Sequence, residues 1–309
     1  VTEAAFRSTL VPQHALPELA RTDLKEPVLL LKCLGVDDVA AFEFITPPGR
    51  EAIEAALEEL LALGAVDRDA RVVEPLGPRM IHAPLPLGLA RLLLLSAEPP
   101  HSCSSEAAAA CAMLMVRQPW LQSQRRERLQ ACKQSFASHE GDIVSLVNVL
   151  RQAEANLGED SAWAMRHMLD PRILQRAFAI RRSLICYLER HRLPASSCGL
   201  EVERLQRVVC AALFLNAAKR LPNGTYRLCR TIDEAGAPHI CFRLHPGSVL
   251  ASVQGSAPAD FVVFVEAICS GADASLTQNT RVRPEWLPEL APHYFQHVPA
   301  GQAGQDPPA

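Results

Sequence analysis

The 309-residue chain predicts a mostly helical α+β fold: a winged helix followed by a helical bundle followed by a small β-barrel. Three observations lead there. Apolar residues recur at helical spacing along most of Pro17–Leu193. Prolines and glycines mark the ends of those helical runs and seldom fall inside them. Beyond Pro194 the runs shorten to strand length and are separated by Gly, Pro and Asp turns.

Residues 1–14 lack clear periodicity and are expected to belong to an upstream domain or linker. In 15–86, Val28–Leu34 is a short apolar helix, and Gly35 supplies the left-handed residue that closes it. Arg50–Leu63 carries Ile53, Ala56, Leu57, Leu60 and Leu61 at helical spacing and ends at Gly64. Ala65-Val66 and Val72-Val73 flank the polar turn Asp67–Ala70 and read as a small hairpin, so helices plus this wing describe a winged helix.

Residues 87–195 read as a bundle. Ala107–Val116 is alanine-rich, and Ile143–Ala155 and Ile173–Arg192 alternate apolar and polar faces at helical period. Residues 196–297 open with a helix, Val202–Lys219. Strand-like Tyr226–Cys229, His239–Leu244 and Phe261–Ala267 follow, which suits a small barrel. Residues 298–309, rich in Pro, Gly, Gln and Ala, are expected to be disordered.

Composition narrows the function classes. With 49% hydrophobic and 21% charged residues the chain matches a soluble globular protein. Its net charge of −3 lacks the basic excess of a simple nucleic-acid binder, so any polyanion contact must come from local charge distribution. None of the ten cysteines forms a C-x-x-C pair, and several sit in apolar runs. Reduced, buried thiols are expected, placing the protein in cytosol or nucleus. The longest apolar run, Leu85–Leu95, contains Arg91 and falls far short of the roughly 18 residues of a membrane span. Residue 1 is Val rather than Met, which suggests a fragment or processed piece.

No G-x-x-x-x-G-K-[ST] loop and no acidic D-E-x-[HQ] box occur, so the chain has no phosphate-cradling loop for ATP. His239, His245 and His293 have no nucleophile elbow, H-E-x-x-H or Cys/His metal spacing around them. No catalytic residue and no metal ligand are expected. A histidine before proline, as at His245, is read as a hydrogen-bonded structural group.

Four ordered stretches carry a family resemblance across roughly residues 14–297. The first runs from Pro17-Glu18-Leu19-Ala20-Arg21 to Leu31-Lys32-Cys33-Leu34-Gly35-Val36-Asp37-Asp38. The second is Glu140-Gly141-Asp142-Ile143 through Asn148-Val149, with Trp163 and the Arg172–Arg181 helix after it. The third is Phe214-Leu215-Asn216-Ala217-Ala218-Lys219-Arg220-Leu221, Gly224-Thr225-Tyr226 and His245-Pro246-Gly247-Ser248-Val249-Leu250. The last is Pro284-Glu285-Trp286-Leu287 through Ala291-Pro292-His293-Tyr294-Phe295. Together they resemble the C-terminal region of DEAH-box (RHA-type) RNA helicases: winged helix, ratchet (HA2) bundle and OB-fold.

That resemblance implies a parent enzyme that hydrolyses nucleoside triphosphate, with ATP and Mg2+ held by upstream RecA-like motor domains. This piece would bind no cofactor itself. It would close over single-stranded RNA and could dock a G-patch-type activator. Departures are Ile143 at the ratchet histidine, and Ala164, His167 and Met168 after Trp163. The run Ala272–Thr277 stands where the family has T-K-x-Y-M-R, losing two cations and an aromatic and adding Asp273. Such drift suits a divergent DEAQ-box-like paralogue, or a protein-interaction scaffold with weakened RNA binding.

Candidate RNA contacts are cations and flat groups. Arg172, Arg176 and Arg182 lie in the arginine-rich stretch 166–192, where they either meet phosphates or solvate a helix face. Lys219 and Arg220 with Tyr226 form a second candidate; the alternative is a helix-terminal cation and a locally packed tyrosine. Arg125, Arg126 and Arg128 read as a solvated surface run. Trp163 and Trp286 read as core anchors, and Asp142 and Asn148 as helix braces.

Overall fold

The computed structural model describes residues 17–121, 126–156, 162–229, 240–252, 258–270 and 273–295. The expected upstream segment 1–14, the expected tail 298–309, Arg125, His239 and Ala272 lie outside the described residues. Contacts divide the chain into two units, with the division after His82.

The first unit holds α1 (Lys25–Cys33), α2 (Arg50–Ala62) and α3 (Leu76–His82). Gly35 (φ +91°) and Gly64 (φ +72°) follow α1 and α2 in the left-handed region, where a side chain would be strained. Val28, Leu29, Ile53, Leu60 and Met80 form the core. Val66 bridges Val72, and the Asp67 carboxylate accepts from the amides of Asp69 and Arg71 (both 2.9 Å), making a small hairpin. Gly77 lets α3 lie flat on it: a Cβ there would meet Val72 at 2.6 Å and the Ala65 carbonyl at 2.8 Å.

The second unit begins with α4 (Leu87–Ser96), α5 (Ser104–Leu114), α6 (Arg126–Phe136) and α7 (Asp142–Asn156). α8 (Trp163–Arg166), α9 (Pro171–Arg190) and α10 (Val202–Leu213) complete the bundle. α5 is its centre, packed by α4, α7 and α9. Its Ala107–Ala112 stretch is buried on every side, because methyl-sized side chains let three neighbours approach closely.

The expected helix Val202–Lys219 is shorter than periodicity suggests. It ends at Leu213, passes through a 3-10 turn at Phe214–Asn216, and Ala217–Arg220 becomes strand β1. Alanine and lysine carry no strand preference, so pairing on both sides of β1 decides the conformation. β2 is Tyr226–Leu228, β3 Arg243–Leu244, and a short helix α11 spans Val249–Ser252. β4 (Phe261–Val263), β5 (Glu266–Ser270), β6 (Asp273–Thr277) and β7 (Thr280–Arg281) follow.

One sheet has the antiparallel order β2-β1-β4-β7; the other has the order β3-β6-β5, with β3 parallel to β6. The single strand expected over Phe261–Ala267 is two strands, because Phe264-Val265 turns the corner between the sheets. A bridge between Tyr226 and Phe242 joins them on the other side. Tyr226, Phe242, Val262, Phe264 and Leu276 fill the interior.

The closing helix α12 (Trp286–Leu290) packs on α10. Trp286 is buried, with the Arg207 and Arg283 guanidiniums 5.4 and 5.2 Å from its ring centre. The cysteines are free; Cys103, Cys111, Cys198 and Cys210 are buried as expected, whereas Cys241 and Cys269 are exposed. Among the described residues no helix is long and apolar enough to cross a membrane.

Candidate nucleic-acid interface

The bundle and barrel of the second unit are joined at Gly141-Asp142, where α7 begins. The Asp142 carboxylate accepts from Ser248 Oγ (2.7 Å), Val249 N–H (2.6 Å) and Asn279 N–H (2.8 Å). Its own N–H donates to the Asn279 carbonyl at 2.7 Å. Gly141 sits at φ +129°, and a Cβ there would come 2.3 Å from that carbonyl oxygen. Burial pushes the Asp142 carboxyl above its ordinary value, against the pull of its hydrogen bonds. Asn148 braces the same helix, its Nδ2 donating to the Phe136 carbonyl at 3.3 Å. Both residues therefore act as the structural braces their sequence context suggests.

Beside this clasp opens a cavity of about 550 Å³, walled by α6, the start of α7, the His245–Val249 turn and the β5–β6 hairpin. Trp120 and Phe136 line it with ring centres 5.9 Å apart, and Lys133 Nζ stands 5.8 Å over the Trp120 ring. Gln118, Gln130, Gln134 and Gln278 supply amides. An aromatic face, a cation and amides in one cleft are the groups that stack on bases and bond their edges. His245 lines the same cavity and accepts from the Gly247 N–H at 3.0 Å, a turn-stabilising contact rather than a catalytic one. Sequence reasoning missed this cleft; the glutamine-rich stretch from Gln118 to Gln134 was the available signal.

α9 carries the predicted arginines. Asp170 caps it by accepting from Arg172 N–H (2.8 Å), with Pro171 in the first turn. Leu174, Ala177, Leu184 and Leu188 face the bundle. Arg172, Arg176 and Arg182 are exposed. At about 100° per residue, Arg176 lies about 40° to one side of Arg172 and Arg182 about 80° to the other. Among the described residues their guanidiniums have no acidic partner. Arg181, one residue away, points inward and bonds Glu154 (2.6 Å) and Ser105 (3.1 Å), so it belongs to the scaffold.

The barrel site is only partly assembled as expected. Lys219 is exposed on β1, its Nζ 5.8 Å from the Phe261 ring centre. Arg220 lines a cavity of about 320 Å³ with Arg243, Asn223 and Thr225. Tyr226 is a correction. It is 3% exposed in the barrel core and its hydroxyl donates to the Ala259 carbonyl at 2.7 Å, so its ring has no free face for a base. Tyr226 and Arg220 are direct partners across the β1–β2 ladder and so share its inner face; the ring stays in the core while the longer Arg220 side chain extends to the rim.

Arg126 and Arg128 are exposed at the start of α6, in keeping with a solvated run. Trp163 is buried in a cluster with Phe136 and His167. No metal-binding group of His, Cys, Asp or Glu occurs among the described residues. The 273–277 part of the altered run forms β6, the middle strand of its sheet, with Leu276 and Thr277 buried.

A helical bundle clasped to a small two-sheet barrel is the arrangement over which two family models find their matches. Residues 86–146 match the helicase associated domain (HA2), ratchet-like, and residues 205–294 match the oligonucleotide/oligosaccharide-binding (OB)-fold. Among curated relatives, the pre-mRNA-splicing factor ATP-dependent RNA helicase prp22 of Schizosaccharomyces pombe is 34% identical over 308 residues, 98% of this chain and 25% of that protein. The probable ATP-dependent RNA helicase DHX35 of Homo sapiens is 32% identical over 297 residues, 96% of this chain and 40% of its own. The pre-mRNA-splicing factor ATP-dependent RNA helicase DEAH10 of Arabidopsis thaliana is 32% identical over 294 residues, 91% of this chain and 39% of its own. The chain thus spans a quarter to two fifths of the length of these relatives, and it belongs with the C-terminal region of the DEAH-box RNA helicases.

Proposed function

We propose that this chain is the RNA-handling part of a DEAH-box-type helicase, holding single-stranded RNA against RecA-like motor domains elsewhere in its parent. The observation that carries this reading is the outward arginine face of α9, where Arg172, Arg176 and Arg182 stand exposed without acidic partners among the described residues. The cleft beside Trp120 adds stacking and amide groups, and Lys219 and Arg220 add cations at the barrel rim. The first unit, three helices and a hairpin, takes the part of the winged helix and is a surface for a G-patch-type activator. ATP and Mg2+ chemistry belongs to the motor, since this chain has no phosphate-cradling loop to hold them. The relatives named as pre-mRNA-splicing factors support a nuclear setting.

Fluorescence titration with labelled single-stranded RNA at two salt concentrations tests the proposal. Arg172→Glu/Arg176→Glu is expected to weaken binding roughly tenfold or more and to flatten the salt dependence by about 1.4 in log–log slope, two phosphate contacts on a single strand. Unchanged affinity would remove α9 from the path of the strand. No binding at all, even with the motor domains restored, would favour the scaffold reading, to which the altered 272–277 run points.

A further inference from the structure

We infer that the cleft beside Trp120 reads a base, taking guanine in preference to the other three, and that Glu266 sets the preference. The base choice rests on the RNA-handling reading proposed above and adds specificity to it. The stacking platform is fixed before any ligand arrives. Asp170 N–H donates to the Pro119 carbonyl and Leu121 N–H to the Met168 carbonyl, both at 2.8 Å, and Trp120 itself bridges Leu169. Its ring is half-buried beside Phe136, so part of it stays open to the cleft. Lys133 stands over the same ring and supplies a cation for the phosphate attached to a stacked base. At about 550 Å³ the cleft has room for one nucleotide.

Donors and acceptors decide which base. Two carboxylates line the cleft, and Asp142 is already committed to Ser248, Val249 and Asn279. Glu266 is exposed, and among the described residues its carboxylate has no hydrogen-bond or ion-pair partner. The β5–β6 ladder holds its backbone, with Thr277 as its partner in register and Thr277 Oγ donating to its carbonyl at 3.2 Å. Thr277 is neutral, at the position where the family motif ends in arginine, so the ladder offers that carboxylate no cation. A carboxylate only accepts. Guanine presents N1–H and its N2 amino group side by side on the Watson–Crick edge, two donors for two oxygens. Adenine and cytosine each set a ring-nitrogen acceptor beside their amino group, and uracil flanks its N3–H with two carbonyls. Each of those would turn a lone pair toward Glu266. Guanine O6 then needs a donor, and His245 on the barrel side of the cleft has one. Its Nδ1 accepts from the Gly247 N–H at 3.0 Å, so the neutral ring carries its proton on Nε2.

Labelled oligouridines titrated against the purified 309-residue chain test this: one all-uridine, one with a single central guanosine, one with a single central adenosine. The guanosine strand is expected to bind roughly fivefold or more tighter than the other two. Glu266→Gln puts a donor in place of one acceptor and should erase that advantage at unchanged Tm, since the residue is exposed. Arg172→Glu/Arg176→Glu should instead weaken all three strands and keep their ratio. Equal affinity for the three strands would overturn the base choice and leave the RNA-handling reading standing. A guanosine advantage that survives Glu266→Gln would overturn the part given to Glu266. Should no strand bind, tryptophan quenching by guanosine and adenosine monophosphates decides. Trp163 and Trp286 are buried, so saturable quenching reports on Trp120. Tighter guanosine monophosphate binding that is lost in Glu266→Gln would support the cleft without the RNA reading; absent quenching or equal binding of the two would overturn it.

Discussion

The Asp142 clasp and the outer face of α9 are both built from charged side chains of one bundle, and they treat charge in opposite ways. Asp142 is enclosed and answered by three donors from two barrel turns. Arg172, Arg176 and Arg182 are exposed, and among the described residues no acidic side chain answers their charge. A buried carboxylate without partners would cost several kcal/mol, so it survives only where the fold supplies donors. An exposed arginine costs almost nothing to leave unpaired, so it remains available to a ligand. Enclosed charge therefore reports on architecture, and open charge on what the surface can hold.

The widest separation between the two regions should appear on deletion. Asp142→Ala leaves three buried or half-buried donors without an acceptor and is expected to cost ~3–5 kcal/mol in urea unfolding. Its pH dependence sharpens the point. Burial raises the folded-state pKa above the ordinary 3.8, so the group's contribution is fully present below that value and declines as pH rises through the folded value. The stability gap between wild type and Asp142→Ala should thus narrow from about pH 4 toward neutrality; a widening gap would mean the hydrogen bonds outweigh burial. Gly141→Ala comes next, at ~3 kcal/mol, because the new Cβ would press on the Asn279 carbonyl at a φ that side chains avoid. A melting temperature unchanged by that substitution would show that the barrel turn can move away.

The smallest effects test the α9 side of the contrast with two adjacent residues. Arg181→Ala removes the bonds to Glu154 and Ser105 and is expected to cost ~1–2 kcal/mol with little change in RNA affinity. Arg182→Ala should leave stability within ~0.5 kcal/mol while lowering RNA affinity. Equal stability losses would mean that the outer face is also structural.

Much of the first unit and the bundle was legible because its signals are local. Gly35 and Gly64 end α1 and α2 where sequence placed those ends, and the alanine run marked the crowded centre of the bundle. The barrel was less legible. Ala217–Lys219 read as the tail of a helix because nothing nearby forbids it, and only pairing with β2 and β4 draws that stretch into a strand. Tyr226 looked like a platform beside two cations until the inward side of β2 took its ring into the core. The Trp120 cleft joins residues far apart in sequence, so the glutamine-rich stretch from Gln118 to Gln134 could signal only one of its walls.

Sequence by itself determined the class of fold, the helix boundaries set by glycine and proline, and the family to which the chain belongs. Each rests on short-range sterics or on ordered motifs that survive without knowing what touches what. Tertiary structure alone decided which arginine faces water, which tyrosine is buried and where bundle and barrel are clasped. Those outcomes depend on desolvation and donor geometry, and both are properties of residues brought together from distant parts of the chain.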